Sequence, residues 1–156
     1  MLKNSNTSES TYAKDLRITR QRLDEMSLAL SVVKDGNIVL ETREHGISSI
    51  LATIDASCGK FHEASVADRV VGKAIAMLYV HAGVKAIYAT TLSKMAKQIL
   101  EEADIFVEWA NLTENVLNLE KTDLCPFEKA VVRIRNPKTA YKRLKALQDC
   151  VLKGKY

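Results

Sequence analysis

Four side chains able to do chemistry stand in two pairs in this sequence: Asp68 and Lys73 in the stretch Ser65 to Gly83, and Cys125 and Glu128 in L-C-P-F-E-K-A-V. The first stretch, S-V-A-D-R-V-V-G-K-A-I-A-M-L-Y-V-H-A-G, is almost wholly apolar and reads as one long buried helix with Gly72 and Lys73 at its middle. A helix apolar on all sides belongs in an interior, where an ammonium group must reach a partner, a ligand or water. Burial lowers the pKa of such a lysine toward a usable amine, whereas an anionic ligand holds it charged. A mid-helix glycine costs around 1 kcal/mol relative to alanine, so close approach of backbone or ligand accounts for Gly72.

Each of these residues also has a structural reading. Ser65 and Asp68 have the spacing of a capping box, so Asp68 is either a helix-capping acid or a catalytic carboxylate. Lys73 can instead carry its ammonium to the surface along an apolar stem. Glu128 suits general acid–base work, the binding of an amine or a salt bridge to Lys73, and Cys125 is a candidate nucleophile whose ordinary alternative is a small buried hydrophobe. Glu44 and His45 close a predicted strand. Thr91 and Ser93 end another, where hydroxyls and free N–H groups make a cradle for anions. The common phosphate and zinc signatures, G-x-x-x-x-G-K-[ST], G-x-G-x-x-G and H-E-x-x-H, do not occur, and no cofactor or metal is expected.

The elements that must position these residues follow from periodicity. Tyr12, Leu16, Thr19, Leu23 and Met26 recur at helical spacing. S-L-A-L-S-V-V-K and N-I-V-L-E-T-R flank Asp35-Gly36, a strong hairpin signal. A helix is predicted from about Ile47 to Asp55, then the Ser65–Gly83 helix, closed by its glycine. V-K-A-I-Y-A-T-T reads as a strand covered on both faces, and Ser93 caps the helix S-K-M-A-K-Q-I-L-E-E-A-D. I-F-V-E-W-A and E-K-A-V-V-R-I are predicted as further strands, and Asn136-Pro137 opens a last helix. Alternating strands and helices after a hairpin imply a mixed sheet with helices on both faces, a three-layer α/β/α sandwich. Ligands in such sheets sit outside the carboxyl ends of the parallel strands, where Glu44, His45, Ser65, Asp68, Lys73, Thr91, Ser93, Cys125 and Glu128 are expected to converge.

At 156 residues, 47% hydrophobic and 27% charged, the chain is sized for one core, predicted over residues 10–156 behind a polar, disordered tail at 1–9. No apolar run approaches the ~20 residues of a membrane span, and the amino terminus lacks a signal-peptide pattern, so a cytoplasmic location without a membrane partner is expected. Cys58, Cys125 and Cys150 fit reduced thiols. From Lys129 onward nine Lys/Arg face one acidic residue, Asp149. Without interleaved aromatics or a nucleic-acid motif, this reads as a solvated helix face, with nucleic acid reached through Lys138, Lys142, Arg143 and Lys145 the lesser reading.

The stretches S-L-A-L-S-V-V-K-D-G, E-T-R-E-H-G-I-S, A-S-V-A-D-R-V-V-G-K-A-I-A and L-C-P-F-E-K-A-V together resemble the prokaryotic family called domain of unknown function 1893. The resemblance implies a fold similar to cytidine deaminases and no assigned activity. It also implies that the zinc positions of deaminases fall near Ser65 and Ser93. There this chain has Asp68 in place of H-x-E and Thr91-Leu92-Ser93 in place of P-C-x-x-C, which argues against zinc-dependent deamination. Two readings stand: a pocket for a small polar or nucleotide-like ligand lined by Asp68, Lys73, Cys125 and Glu128, and a catalytically silent domain that self-associates as a homo-oligomer.

Overall fold

The computed structural model describes residues 10–56, 59–118 and 120–152; the expectations for the 1–9 tail and for Cys58 lie outside them. The amphipathic helix α1 (Thr11–Glu25) leads into strands β1 (Leu30–Lys34) and β2 (Asn37–Thr42), followed by α2 (Ser48–Ala56). Next come β3 (Ser65–Val71), α3 (Lys73–Ala82), β4 (Ala86–Ser93), α4 (Lys94–Glu102) and β5 (Phe106–Thr113), then the short α5 (Pro126–Ala130) and α6 (Pro137–Leu152). The sheet has the order β2-β1-β3-β4-β5. Strand β1 is antiparallel to both neighbours, and the β3–β4 and β4–β5 pairs are parallel.

Two expectations are corrected. Ser65 to Gly83 is not one helix: Ser65–Val71 is strand β3, and the helix begins at Lys73 behind Gly72, which sits in extended backbone (φ −101°, ψ −173°). A stretch apolar throughout describes a strand covered on both faces as well as it describes a buried helix, and the β-branched Val66, Val70 and Val71 favour the strand. Alternation then sorts the side chains, with Ala67 packing with Leu16 and Leu23 of α1, and Val66 in the core cluster on the opposite side. E-K-A-V-V-R-I is likewise not a strand. Pro126 starts the short helix α5, and Val131 and Ile134 turn into the core behind it. The N-terminal helix, the hairpin, Ser93 as the N-cap of α4 and Gly83 as the left-handed closure of α3 agree with the sequence reading.

The topology decides which face is covered. From β2 to β3, β4 and β5 the chain steps across the sheet in one direction, and right-handed crossovers therefore put α2, α3 and α4 on one face. The main core forms there, around Met77, Leu78, Tyr79, Ile87, Leu92, Leu100 and Leu144 of α6. The other face receives α1, which lies over β1, β3 and β4. One helix is about 10 Å wide and five strands span roughly 24 Å, so α1 leaves part of that face open on the β5 side.

The carboxylate of Asp15 fixes α1 to the hairpin. It is buried and accepts the N–H groups of Asp35 and Gly36, both at 2.9 Å. Asp35 and Gly36 both have positive φ (50° and 78°), as a tight two-residue hairpin turn requires. Arg69 of β3 adds a second tie, donating to the carbonyls of Leu23 and Leu28 and to Asp24. Asp15→Ala leaves two turn amides without their charged acceptor and is expected to lower stability by about 1.5–3 kcal/mol. Urea unfolding followed by circular dichroism measures this as a lower midpoint at unchanged slope.

Candidate functional site

The strand directions bring most of the expected residues to one end of the sheet. Because β2, β3, β4 and β5 all run the same way, Thr42, Asp68, Ala89 and Trp109 share one row, and the segments after them leave at a common edge. Glu44 and His45 follow β2 there, both exposed. Gly72 and Lys73 follow β3, and Thr91 and Ser93 end β4. Ser65 is the exception, since as the first residue of β3 it lies at the opposite end, buried, its hydroxyl donating to the Tyr12 carbonyl at 2.8 Å.

Glu128 sits at the centre of this edge. Its side chain, 8% exposed, reaches from α5 to the first turn of α3, where Lys73 N–H donates to Oε1 (2.9 Å) and Ala74 N–H to Oε2 (2.7 Å). A helix leaves its first N–H groups without intrahelical partners, and a carboxylate there also meets the positive end of the helix dipole. Gly72 makes the contact possible: a Cβ at that position would lie 1.8 Å from Glu128 Oε1 and 2.7 Å from Val116 Cγ2. Gly72 is thus explained by close approach, but of this chain's own carboxylate. Burial pushes the Glu128 carboxyl above its ordinary pKa, opposed by the two N–H bonds and the charge of Lys73.

Lys73 is part-buried at the first position of α3, and its ammonium donates to the Val132 carbonyl at 3.0 Å. Burial lowers its pKa, and Arg135 lowers it further against the pull of Glu128. Cys125 is the residue before Pro126, part-buried and free, its N–H and carbonyl joining Val116 and Lys129. The hydroxyl of Ser93 accepts the Ala96 N–H at 3.1 Å as the cap of α4.

Asp68 faces away from this edge, into the sheet–helix interface. Its carboxylate accepts the Tyr79 hydroxyl of α3 at 2.5 Å, and both residues are buried. Burial pushes the Asp68 carboxyl up to about 6, against the hydrogen bonds from Tyr79 and the Val70 and Arg69 backbone. The same burial, with the Asp68 charge beside it, holds the Tyr79 phenol well above its ordinary pKa. Tyr79 and Arg69 did not stand out in the sequence. The available signal was the pair of polar groups in an otherwise apolar run, since a buried carboxylate requires a donor.

The residues present do not fit a deaminase zinc. Among the described residues no three His, Cys, Asp or Glu side chains stand together as ligands, and Ser65, near which the resemblance places the first zinc-bearing helix start of deaminases, opens a strand rather than a helix. Two concavities lie elsewhere. One of about 390 Å³ is lined by Arg20, Tyr88, Val107, Glu108 and Trp109, and another of about 270 Å³ includes Thr53, Phe61 and His81. On the basic helix, Lys145 is paired with Asp55, which also accepts the Tyr141 hydroxyl, so this cation ties α6 to α2.

Asp68 makes stability depend on pH. Its folded pKa of about 6 exceeds the ordinary 3.8, so the native state binds more protons between these values and stability falls as pH rises through the window. The unsubstituted chain is expected to lose on the order of 3 kcal/mol in total relative to Asp68→Asn as pH rises through these two values, most of it between pH 3.8 and pH 6, the difference levelling off about one unit above the upper value. Urea unfolding of both proteins across pH 3.5 to 7.5 (about the range set by these values) measures the difference; a flat difference contradicts the assignment.

No curated protein matches the chain. A solved structure of a DUF1893 family protein from Thermotoga maritima is similar, with a TM-score of 0.78 at 19% identity, covering 92% of this chain and 99% of that one. At that identity the likeness establishes the shared fold. The family model described as "Domain of unknown function (DUF1893)" matches residues 18–148, and the chain therefore belongs to the DUF1893 family.

Proposed function

We propose that this domain is catalytically silent and acts by self-association. The observation that carries this reading is the state of Glu128: the best-placed acid at the strand ends is bound on both oxygens as the cap of α3. Its neighbours are similarly engaged. The Lys73 ammonium holds the Val132 carbonyl, Ser93 holds the α4 amide, and Asp68 holds Tyr79 beneath the helix. A catalytic constellation needs groups left free to meet a substrate, and these complete each other instead. Support for association comes from β5, where Phe106, Trp109 and Leu112 are exposed on a strand at the edge of the sheet. In this reading the deaminase-like arrangement of hairpin, parallel strands and crossover helices is a scaffold without the zinc chemistry.

A ligand pocket at the same edge is the second reading, favoured by Lys73, whose ammonium is paired with a neutral carbonyl while the nearby carboxylate binds backbone. A small anion would then displace Glu128 from α3. Thermal unfolding against a library of nucleotides, phosphates and carboxylates separates the two. The silent domain shows no ligand-dependent rise in Tm, and a compound at 100 times its Kd would stabilise by about 2.7 kcal/mol. A compound that raises Tm in the unsubstituted chain and not in Lys73→Met would establish the pocket and overturn the proposal.

A further inference from the structure

Strand β5 presents eight residues, Phe106–Thr113, as a sheet edge with no further strand beside it among the described residues. Natural edge strands are blunted by lysine, proline, bulges or inward charges. None of the first three interrupts β5: it contains no lysine or proline, and it pairs with β4 in continuous parallel register. Its one charge, Glu108, is already matched by Arg20 of α1 at 2.7 Å, and that guanidinium lies 4.2 Å over the Tyr88 ring. Phe106, Trp109 and Leu112 are 44%, 37% and 41% exposed. The concavity of about 390 Å³ lined by Arg20, Tyr88, Val107, Glu108 and Trp109 runs beside this same strand.

Resting on the reading of the domain as self-associating, we infer that the occupant of this edge is a second copy, added antiparallel through β5 about a two-fold axis perpendicular to the sheet. Such an axis keeps the two α1 faces on one side, so residues opposite each other must share a face and their numbers must sum to an even value. With Trp109 opposite its own copy, Phe106 meets the partner's Leu112, Val107 meets the partner's Asn111, and Glu108 meets the partner's Ala110. This register joins the two most exposed apolar side chains of the strand, and it places neither glutamate against the other. The result is a continuous ten-stranded sheet. Two eight-residue strands with their side chains bury on the order of 1,000 Å², at the low end for a specific interface, so the dimer dissociates on dilution.

Sedimentation of the full chain over a dilution series, read in parallel with emission of Trp109, the chain's single tryptophan, tests the inference. A dimer is expected, with Trp109 emission shifting to the red as it dissociates. Trp109→Glu places two like charges at the axis, at a position 37% exposed where each glutamate is hydrated in the monomer. This variant is expected to keep the circular dichroism and Tm of a folded chain and to weaken association at least 100-fold. Leu112→Glu should weaken it similarly, and adding Phe106→Lys should restore it by facing opposite charges across the axis. A dimer unaffected by Trp109→Glu and Leu112→Glu overturns the β5 interface while leaving self-association standing. A chain monomeric at every concentration overturns both.

Discussion

A carboxylate contributed from far along the chain holds the start of the most buried helix. Glu128 replaces the missing intrahelical partners of two α3 amides, and it does so across the bare Cα of Gly72. Much else is arranged around that contact. It ends β3 and begins α3 within one residue, sets α5 against the main core, and brings the Lys73 ammonium to the Val132 carbonyl. Burying a carboxylate is unfavourable without compensation, and here the compensation is the helix terminus itself. The pair is consistent in both directions: the acid is shielded from water, and α3 gains a negative cap at its positive end.

The crossovers impose the second constraint. Because every connection after β2 moves the same way across the sheet, the three crossover helices gather on one face, where α6 packs on α2 and α3, and the other is left to α1. The core is therefore deep on one side and thin on the other. Asp15 and Arg69 fasten α1 over the hairpin and β3, and the cover thins toward β5, where Arg20 reaches Tyr88 and Glu108. An exposed apolar edge at β5 follows from chain order rather than from any local oddity of the strand. Glu128, Lys73 and Ser93 at the strand ends are occupied by backbone groups of their own chain, and the apolar side chains at the β5 edge are exposed.

Local chemistry made parts of this structure legible in the sequence. Asp35-Gly36, Ser93 and Asn136-Pro137 specify their turn, cap and helix start through backbone requirements few other residues meet. In the stretch from Ser65 to Val71, burial on both faces erases the alternation that identifies a strand, so its pattern equally fits a buried helix. Gly72 is a place of close approach at the N-cap of α3 rather than in mid-helix, and what approaches is neither ligand nor backbone but the side chain of a residue 56 positions away, Glu128. The Lys73–Glu128 neighbourhood was anticipated. Its character was not, because periodicity carries no information on whether a carboxylate points into a cavity or onto a helix terminus. Asp68 misled for the same reason, since its position on a presumed cap hid its true partner, Tyr79.

Native-state hydrogen exchange at the amides of Lys73 and Ala74 tests most directly whether Glu128 is a permanent part of the fold. If it is, both amides exchange only with the global unfolding that also releases Leu78 in the buried body of α3. Exchange of Lys73 and Ala74 through a low-energy local opening, while Leu78 remains protected, would contradict the account and describe a carboxylate that leaves its helix for a ligand.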